Sequence, residues 1–194
     1  MKCDIRKFFA SVDHFVLAQL LEERLEDRRF VRLLIEIIGS FSTRPGKGIP
    51  LGNLTLQLFA NIYMHPFDQF VKHELCIRNY VRYADDFLLL STDRCELELI
   101  LDTVKVFLSS QLALEIHPDK VFLKTIASGM DFLGWVHFPH HRVLRTKTKK
   151  RMMRRVRVHP KEPTLQSYLG MLRHGNTHIL SKNIRNLQYL FSID

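Results

Sequence analysis

The sequence predicts an α+β fold, an antiparallel sheet backed by helices and followed by a basic helical segment. Three observations predict it. Tyr80-Val81-Arg82-Tyr83 and Phe87-Leu88-Leu89-Leu90 are two β-prone runs split by Ala84-Asp85-Asp86, which reads as a hairpin. Apolar residues recur at helical spacing in several stretches on either side of it. Charge is divided along the chain: residues 1–141 hold 16 Lys/Arg against 18 Asp/Glu, whereas residues 142–194 hold 13 against 2. Strands and helices that do not alternate regularly argue for α+β.

Each element follows in order. Asp4-Ile5-Arg6-Lys7-Phe8-Phe9 reads as a short strand entering a turn. Val16, Leu17, Leu20, Leu21 and Leu25 then mark one face of a helix, and Leu33, Leu34 and Ile37 mark a second over Phe30 to Ile38. Gly39 to Gly52, with Pro45, Gly46, Gly48 and Pro50, reads as a loop. A longer helix is expected from Asn53 to about Leu75, with Asn53 or Thr55 as its N-cap. After the hairpin, Leu97, Ile100, Leu101, Val104, Leu108 and Leu112 keep helical register. Short strands are expected near 113–116, 121–124 and 132–138. The residues after Thr146 read as basic helices with a break at His159–Pro163.

The composition excludes several classes. The 194 residues are 46% hydrophobic and 25% charged, enough for one or two domains with a core. No apolar run approaches the ~20 residues of a membrane helix, and Met1-Lys2-Cys3-Asp4 does not open a signal peptide. Cys3, Cys76 and Cys95 read as free thiols of a reducing compartment, hence a cytoplasmic protein. His137, His140 and His141 surround a turn and do not read as a metal set. The cationic second part suits a polyanion.

The chemistry is expected at the acids. Asp85 and Asp86 are adjacent like charges, for which a divalent cation is the usual remedy. If the strand containing Asp4 pairs with the hairpin, three carboxylates converge at one end of a sheet. Such an oxygen-rich site suits Mg²⁺. Two such ions ~4 Å apart can serve both the attacking and the leaving oxygen of a phosphoryl transfer. Asp13 and Asp68 read instead as capping or surface acids.

These residues carry a family resemblance. Asp4-Ile5-Arg6-Lys7-Phe8-Phe9-Ala10-Ser11-Val12-Asp13-His14 resembles motif A of a prokaryotic reverse transcriptase, and Gly48-Ile49-Pro50-Leu51-Gly52-Asn53-Leu54-Thr55-Leu56-Gln57 resembles motif B. Tyr83-Ala84-Asp85-Asp86 resembles motif C, His117-Pro118-Asp119-Lys120 motif D, and Phe132-Leu133-Gly134-Trp135 the primer grip of motif E. The Leu-Gly-Asn-Leu-Thr-x-Gln form is most similar to enzymes of diversity-generating retroelements, with group II intron and retron enzymes as relatives. The resemblance implies a right-hand polymerase palm over 1–141 and a basic connection with a partial helical thumb over 142–194. It also implies an N-terminal truncation, the fingers being mostly absent.

Residue roles are implied one at a time. Asp4 and Asp85 resemble the metal-binding pair, with Asp86 as a third acid and the Ile5 carbonyl joining the shell. The metal would be two Mg²⁺ ions, with Mn²⁺ as a substitute. Phe8 or Phe9 resembles the aromatic that excludes a 2′-hydroxyl under the incoming sugar, and the spacing favours Phe9. Gly52 would let the backbone approach the nascent base pair, and Gln57 would face it. Lys120 resembles the lysine that assists pyrophosphate departure; a solvated surface lysine is the alternative. Tyr83, Phe132, Leu133, Gly134 and Trp135 would hold the primer, although Tyr83 and Trp135 also suit a core. Lys149, Lys150, Arg151, Arg154 and Arg155 would follow a template–primer backbone.

The implied function is therefore RNA-directed DNA polymerisation from dNTPs, on an RNA template and a DNA primer, in a bacterial or phage-encoded protein outside any membrane. A small basic accessory protein is a partner of similar enzymes. Leu56 stands where the retroelement enzymes carry Ser, a departure that bears on adenine-selective mutagenesis. The alternatives are a non-catalytic nucleic-acid-binding remnant of such an enzyme and a group II intron or retron enzyme.

Overall fold

The structure, a computed structural model, describes residues 1–49, 55–159 and 161–191. The chain divides into two compact units, Met1–Leu123 and Lys124–Asp194. Compactness thus divides it before the hairpin of Phe132–Trp135, which packs with the basic helices that follow.

In the first unit, β1 (Lys2–Asp4), β2 (Tyr80–Tyr83) and β3 (Asp86–Leu89) form an antiparallel sheet in the order β1-β3-β2. The central strand has Phe87 and Leu89 fully buried, each side chain contributing about 1.5–3 kcal/mol of burial. Helices α1 (Phe8–Ser11), α2 (His14–Glu22), α3 (Arg28–Gly39), α4 (Thr55–Gln69) and α5 (Arg94–Leu112) complete the unit. Aromatic rings join α4 to its neighbours: Phe67 meets Phe87 at 5.0 Å and Phe107 of α5 at 6.2 Å. Local chemistry sets the helix starts. Asp13, Asp27 and Asp93 each accept backbone N–H bonds at the entries to α2, α3 and α5.

Four expected strands differ. The first ends at Asp4, because Lys7 adopts a left-handed conformation (φ 46) that turns Phe8 and Phe9 into α1. The segments near 113–116 and 121–124 are reduced to isolated bridges, Ile5 with Ile116 and Lys2 with Phe122. A 3-10 turn, Pro118–Lys120, interrupts them, since proline supplies no ladder N–H. The run 132–138 is broken at Leu133 (φ 52) and Gly134 (φ 83), two consecutive left-handed residues of a tight hairpin. The second helix also rotates from its expected face: Val31, Leu34 and Ile38 are buried while Leu33 is exposed.

The second unit opens with β4 (Met130–Phe132), β5 (Trp135–His137) and β6 (Arg142–Leu144), an antiparallel meander. Helices α6 (Thr146–Val158), α7 (Glu162–Leu172) and α8 (His178–Phe191) follow. Their core gathers Trp135, Leu144, Met152, Val156, Leu165, Leu172 and Ile184. Among the described residues no helix is long and apolar enough to cross a membrane.

Candidate active site

Strand register brings the acids together. Asp4 closes β1 directly opposite Asp86, the first residue of β3. Tyr83 pairs with Asp86 across the hairpin, leaving Ala84 and Asp85 as its two-residue tip. The Asp85 carbonyl accepts the Ile5 N–H at 3.2 Å, so the tip is fastened to the continuation of β1. Ala84 is left-handed (φ 52), a conformation costing about 1–2 kcal/mol for a residue with a Cβ.

A partly buried ion pair holds that tip. Arg82 donates through Nε and Nη2 to the two Asp68 oxygens at 2.7 and 2.6 Å, and through Nη1 to the Ala84 carbonyl at 3.0 Å. Tyr80 Oη donates to Asp68 Oδ1 at 2.7 Å. Asp68 is therefore an internal anchor on α4 and not the surface acid expected. Burial alone would raise its proton affinity, but Arg82 and Tyr80 outweigh burial and the pKa falls below the ordinary value. Sequence reasoning overlooked this anchor. Its signal is the alternation in β2, where Tyr80 and Arg82 share the face opposite exposed Val81 and Tyr83.

The acids sense one another. Burial raises the pKa of Asp85, the charges of Asp4 and Asp86 raise it further, and Lys120 opposes them. Burial likewise raises Asp86, with Lys2 opposing and Asp4 adding repulsion. Lys120 Nζ lies 3.0 Å from Asp4 Oδ1 and Lys2 Nζ 3.4 Å from Asp86 Oδ2. The hydrogen bond to Asp4 raises the pKa of Lys120, and burial opposes it slightly. Segment 115–122 delivers Lys120 by running along the free edge of β1, where Lys2 and Phe122 exchange two backbone bonds of 2.8 Å and His117 N–H reaches Asp4 O at 2.8 Å.

This donor set suits a hard cation. Asp86 Oδ1 is buried without a hydrogen-bond partner, and two of the three acids carry raised pKa values that added positive charge would lower. Among the described residues no three His, Cys, Asp or Glu side chains are gathered at ligand spacing. The acids are thus not a closed protein cage. Magnesium sites built from one or two carboxylates and completed by substrate phosphates have this character.

The other expected residues fall in three places. Phe9, Gln57 and Tyr83 line one cavity of about 410 Å³, together with Asn61 and Ala84. Phe8 is only 1% exposed and packs edge-on against Phe9 and Tyr63; it is a core residue and is withdrawn as a nucleotide contact. Gly52 lies outside the described residues. In the second unit, Leu133 and Gly134 form the β4–β5 tip, with Leu133 half exposed. Phe132 and Trp135 are buried, the Arg142 guanidinium lying 5.4 Å from the Trp135 ring centre. The tip shares a cavity of about 740 Å³ with Arg145, Lys150, Arg151 and Arg154. Lys149 and Arg155 are exposed on the same helix, α6, which buries Met152 and Val156.

Comparison with known proteins agrees with this geometry. Residues 1–137 match the family described as reverse transcriptase (RNA-dependent DNA polymerase). Protein YkfC of Escherichia coli is 26% identical over 198 residues, 82% of this chain and 50% of that protein. The putative COX1/OXI3 intron 2 protein of Saccharomyces cerevisiae is 20% identical over 197 residues, 70% of this chain and 23% of that protein. The chain spans half or less of the length of these relatives. A structure of telomerase from Candida albicans, in complex with a fragment of telomeric RNA, superposes with a TM-score of 0.51 at 15% identity. The match covers 89% of this chain and 39% of that one, and shows a shared fold.

Proposed function

The chain belongs to the reverse transcriptase family, and from that premise we propose that it is the palm and first thumb helices of an RNA-directed DNA polymerase. The observation that carries the reading is the register of β1 and β3, which faces Asp4 with Asp86 and fastens Asp85 beside Ile5. Asp4 and Asp85 would hold two Mg²⁺ ions with the Ile5 carbonyl, and Asp86 would support them. The charge the ions would supply there is what activating a primer 3′-hydroxyl and neutralising a departing pyrophosphate require.

The chain's own residues do the rest. Lys2 and Lys120 pair with Asp86 and Asp4, and Lys120 would give a proton to the leaving group. Phe9, beside Gln57 and Tyr83, forms the wall that leaves no room for a 2′-hydroxyl. Gln57 faces the templating pair. The Leu133–Gly134 tip holds the primer strand. Lys149, Lys150, Arg151, Arg154 and Arg155 contact the phosphates of an RNA–DNA hybrid. The motif-B form supports a diversity-generating retroelement enzyme. The likeness to an intron protein favours, as a second reading, a group II intron enzyme with the same reaction and a different template.

RNA-templated incorporation of labelled dNTPs with Mg²⁺ tests the proposal. The native chain is expected to extend a DNA primer and Asp85→Ala is not. Equal extension by both would overturn it.

A further inference from the structure

Lys2 is an unexpected occupant of β1. The strand buries Cys3 and turns Lys2 and Asp4 to the other face. Its register sets Lys2 opposite Leu88 and Asp4 opposite Asp86, so Lys2 lies on the diagonal to Asp86 on one face of the sheet. Lys2 Nζ is 3.4 Å from Asp86 Oδ2. The Lys2 side chain is 16% exposed, whereas that of Lys120, the cation on Asp4, is 48% exposed. One cation of the site is thus enclosed against the sheet and the other stands in solvent.

That enclosure is costly. Lysine is depleted in strands, and taking an ammonium out of water costs several kcal/mol unless an acid compensates it. An ordinary cross-strand pair contributes about 0.2–1 kcal/mol, which does not offset such a cost. An apolar side chain opposite Leu88 would serve the sheet better. What Lys2 adds is a fixed positive charge among the acids. It engages one oxygen of Asp86, and the other is enclosed without a hydrogen-bond partner. The three acids are therefore unequal. Among the described residues Asp85 makes no ion pair, Asp4 is paired with a lysine that can swing into solvent, and Asp86 is paired with one that the sheet retains.

We propose that Lys2 is a positioning residue of the polymerase centre, whose ammonium commits the Asp86 carboxylate to the sheet and leaves the divalent cation to Asp4 and Asp85. Asp86 then lends its charge from behind the metal shell and is not one of the ligands. Without Lys2 the Asp86 carboxylate is free to turn, and it becomes a further oxygen ligand that tightens metal binding. The inference rests on the metal reading of the site proposed above. It concerns a residue outside the motifs that carry the family resemblance.

The test is a cycle of variants read by Mn²⁺ binding to the full chain, measured from the electron paramagnetic resonance signal of free Mn²⁺. Lys2→Met should bind Mn²⁺ about tenfold more tightly than the native chain. In that background Asp86→Asn should cost about tenfold or more affinity beyond its cost when Lys2 is present, a coupling that independent charges would not show. Lys2→Arg, which keeps the cation, should retain native affinity and the native cost of Asp86→Asn. Lys2→Gln repeats the cycle if Lys2→Met does not fold. A lowered melting temperature with native Mn²⁺ affinity, or equal costs of Asp86→Asn in both backgrounds, assigns Lys2 to the sheet alone and overturns the proposal. Asp85→Ala keeps the two readings apart. If it abolishes Mn²⁺ binding while Lys2 has no effect, only the role of Lys2 falls. If the native chain binds no Mn²⁺, this inference falls and the extension assay decides the polymerase reading separately.

Discussion

Removing Asp68 tests how the tip carrying Asp85 is held. Asp68→Ala deletes the acceptor of two Arg82 bonds (2.7 and 2.6 Å) and one Tyr80 bond (2.7 Å). The Arg82 side chain is 8% exposed, so its charge is left with little water to replace the lost carboxylate. Breaking a buried pair from one side costs about 3–5 kcal/mol. Because the Asp68 side chain is 20% exposed, some water enters, and we expect about 3 kcal/mol. The assay is amide hydrogen exchange on peptides spanning Tyr80–Leu90. That energy corresponds to roughly a hundredfold loss of protection there. Asp68→Asn, which keeps one acceptor, should lose about a tenth as much protection factor. The pair also sets an acid limit. The folded pKa of Asp68 is depressed, so its stabilisation is complete above the ordinary carboxylate value of about 4 and is lost as pH falls through the lower folded value. Less than about a threefold change in protection in Asp68→Ala would refute the anchor.

Other perturbations separate chemistry from support. Lys120→Met should lower the extension rate about a hundredfold or more; because the Lys120 side chain is half exposed, the melting temperature should hardly move. Phe9→Ala should raise ribonucleotide incorporation relative to deoxynucleotide by about tenfold or more, read in single-nucleotide extension. Tyr63→Phe strips a buried hydroxyl that accepts from Asp13 N–H at 3.1 Å and donates to Leu112 O at 2.6 Å; denaturant unfolding should show a loss of about 1–3 kcal/mol. In the second unit, a Cβ on Gly175 would clash with the Trp135 ring. Gly175→Ala should therefore shift the fluorescence of Trp135, the single tryptophan of the chain, and destabilise by about 1–3 kcal/mol.

The sequence exposed what depends on local pattern. Periodicity marked α2 and α5 because their buried faces are apolar at helical spacing, and the hairpin was legible because two β-prone runs flank a short polar tip. Asp4, Asp85 and Lys120 were singled out by their resemblance to family motifs, and the structure brings Asp4 opposite Asp86 and within 3.0 Å of Lys120. What was hidden depends on register and distance. The Leu133–Gly134 turn looked like the middle of a strand, since Leu133 is apolar and nothing local announces its left-handed backbone. Asp68 and Arg82 meet across 14 residues, joined by the packing of α4 on β2, which no periodicity encodes. Phe8 and Phe9 are adjacent aromatics of equal propensity, and only the turn at Lys7 sends one into the core and the other to a cavity.

The central claim is that Asp4 and Asp85 work as one unit in Mg²⁺-dependent extension of a primer. Single-nucleotide extension by Asp4→Asn, Asp85→Asn and the double variant, with far-UV circular dichroism to establish folding, measures this directly. Each single change is expected to lower the rate by about a thousandfold or more, and the double variant should be no worse than either, as for groups that act together. Near-native rates in a folded single variant, or losses that multiply in the double, would contradict the account.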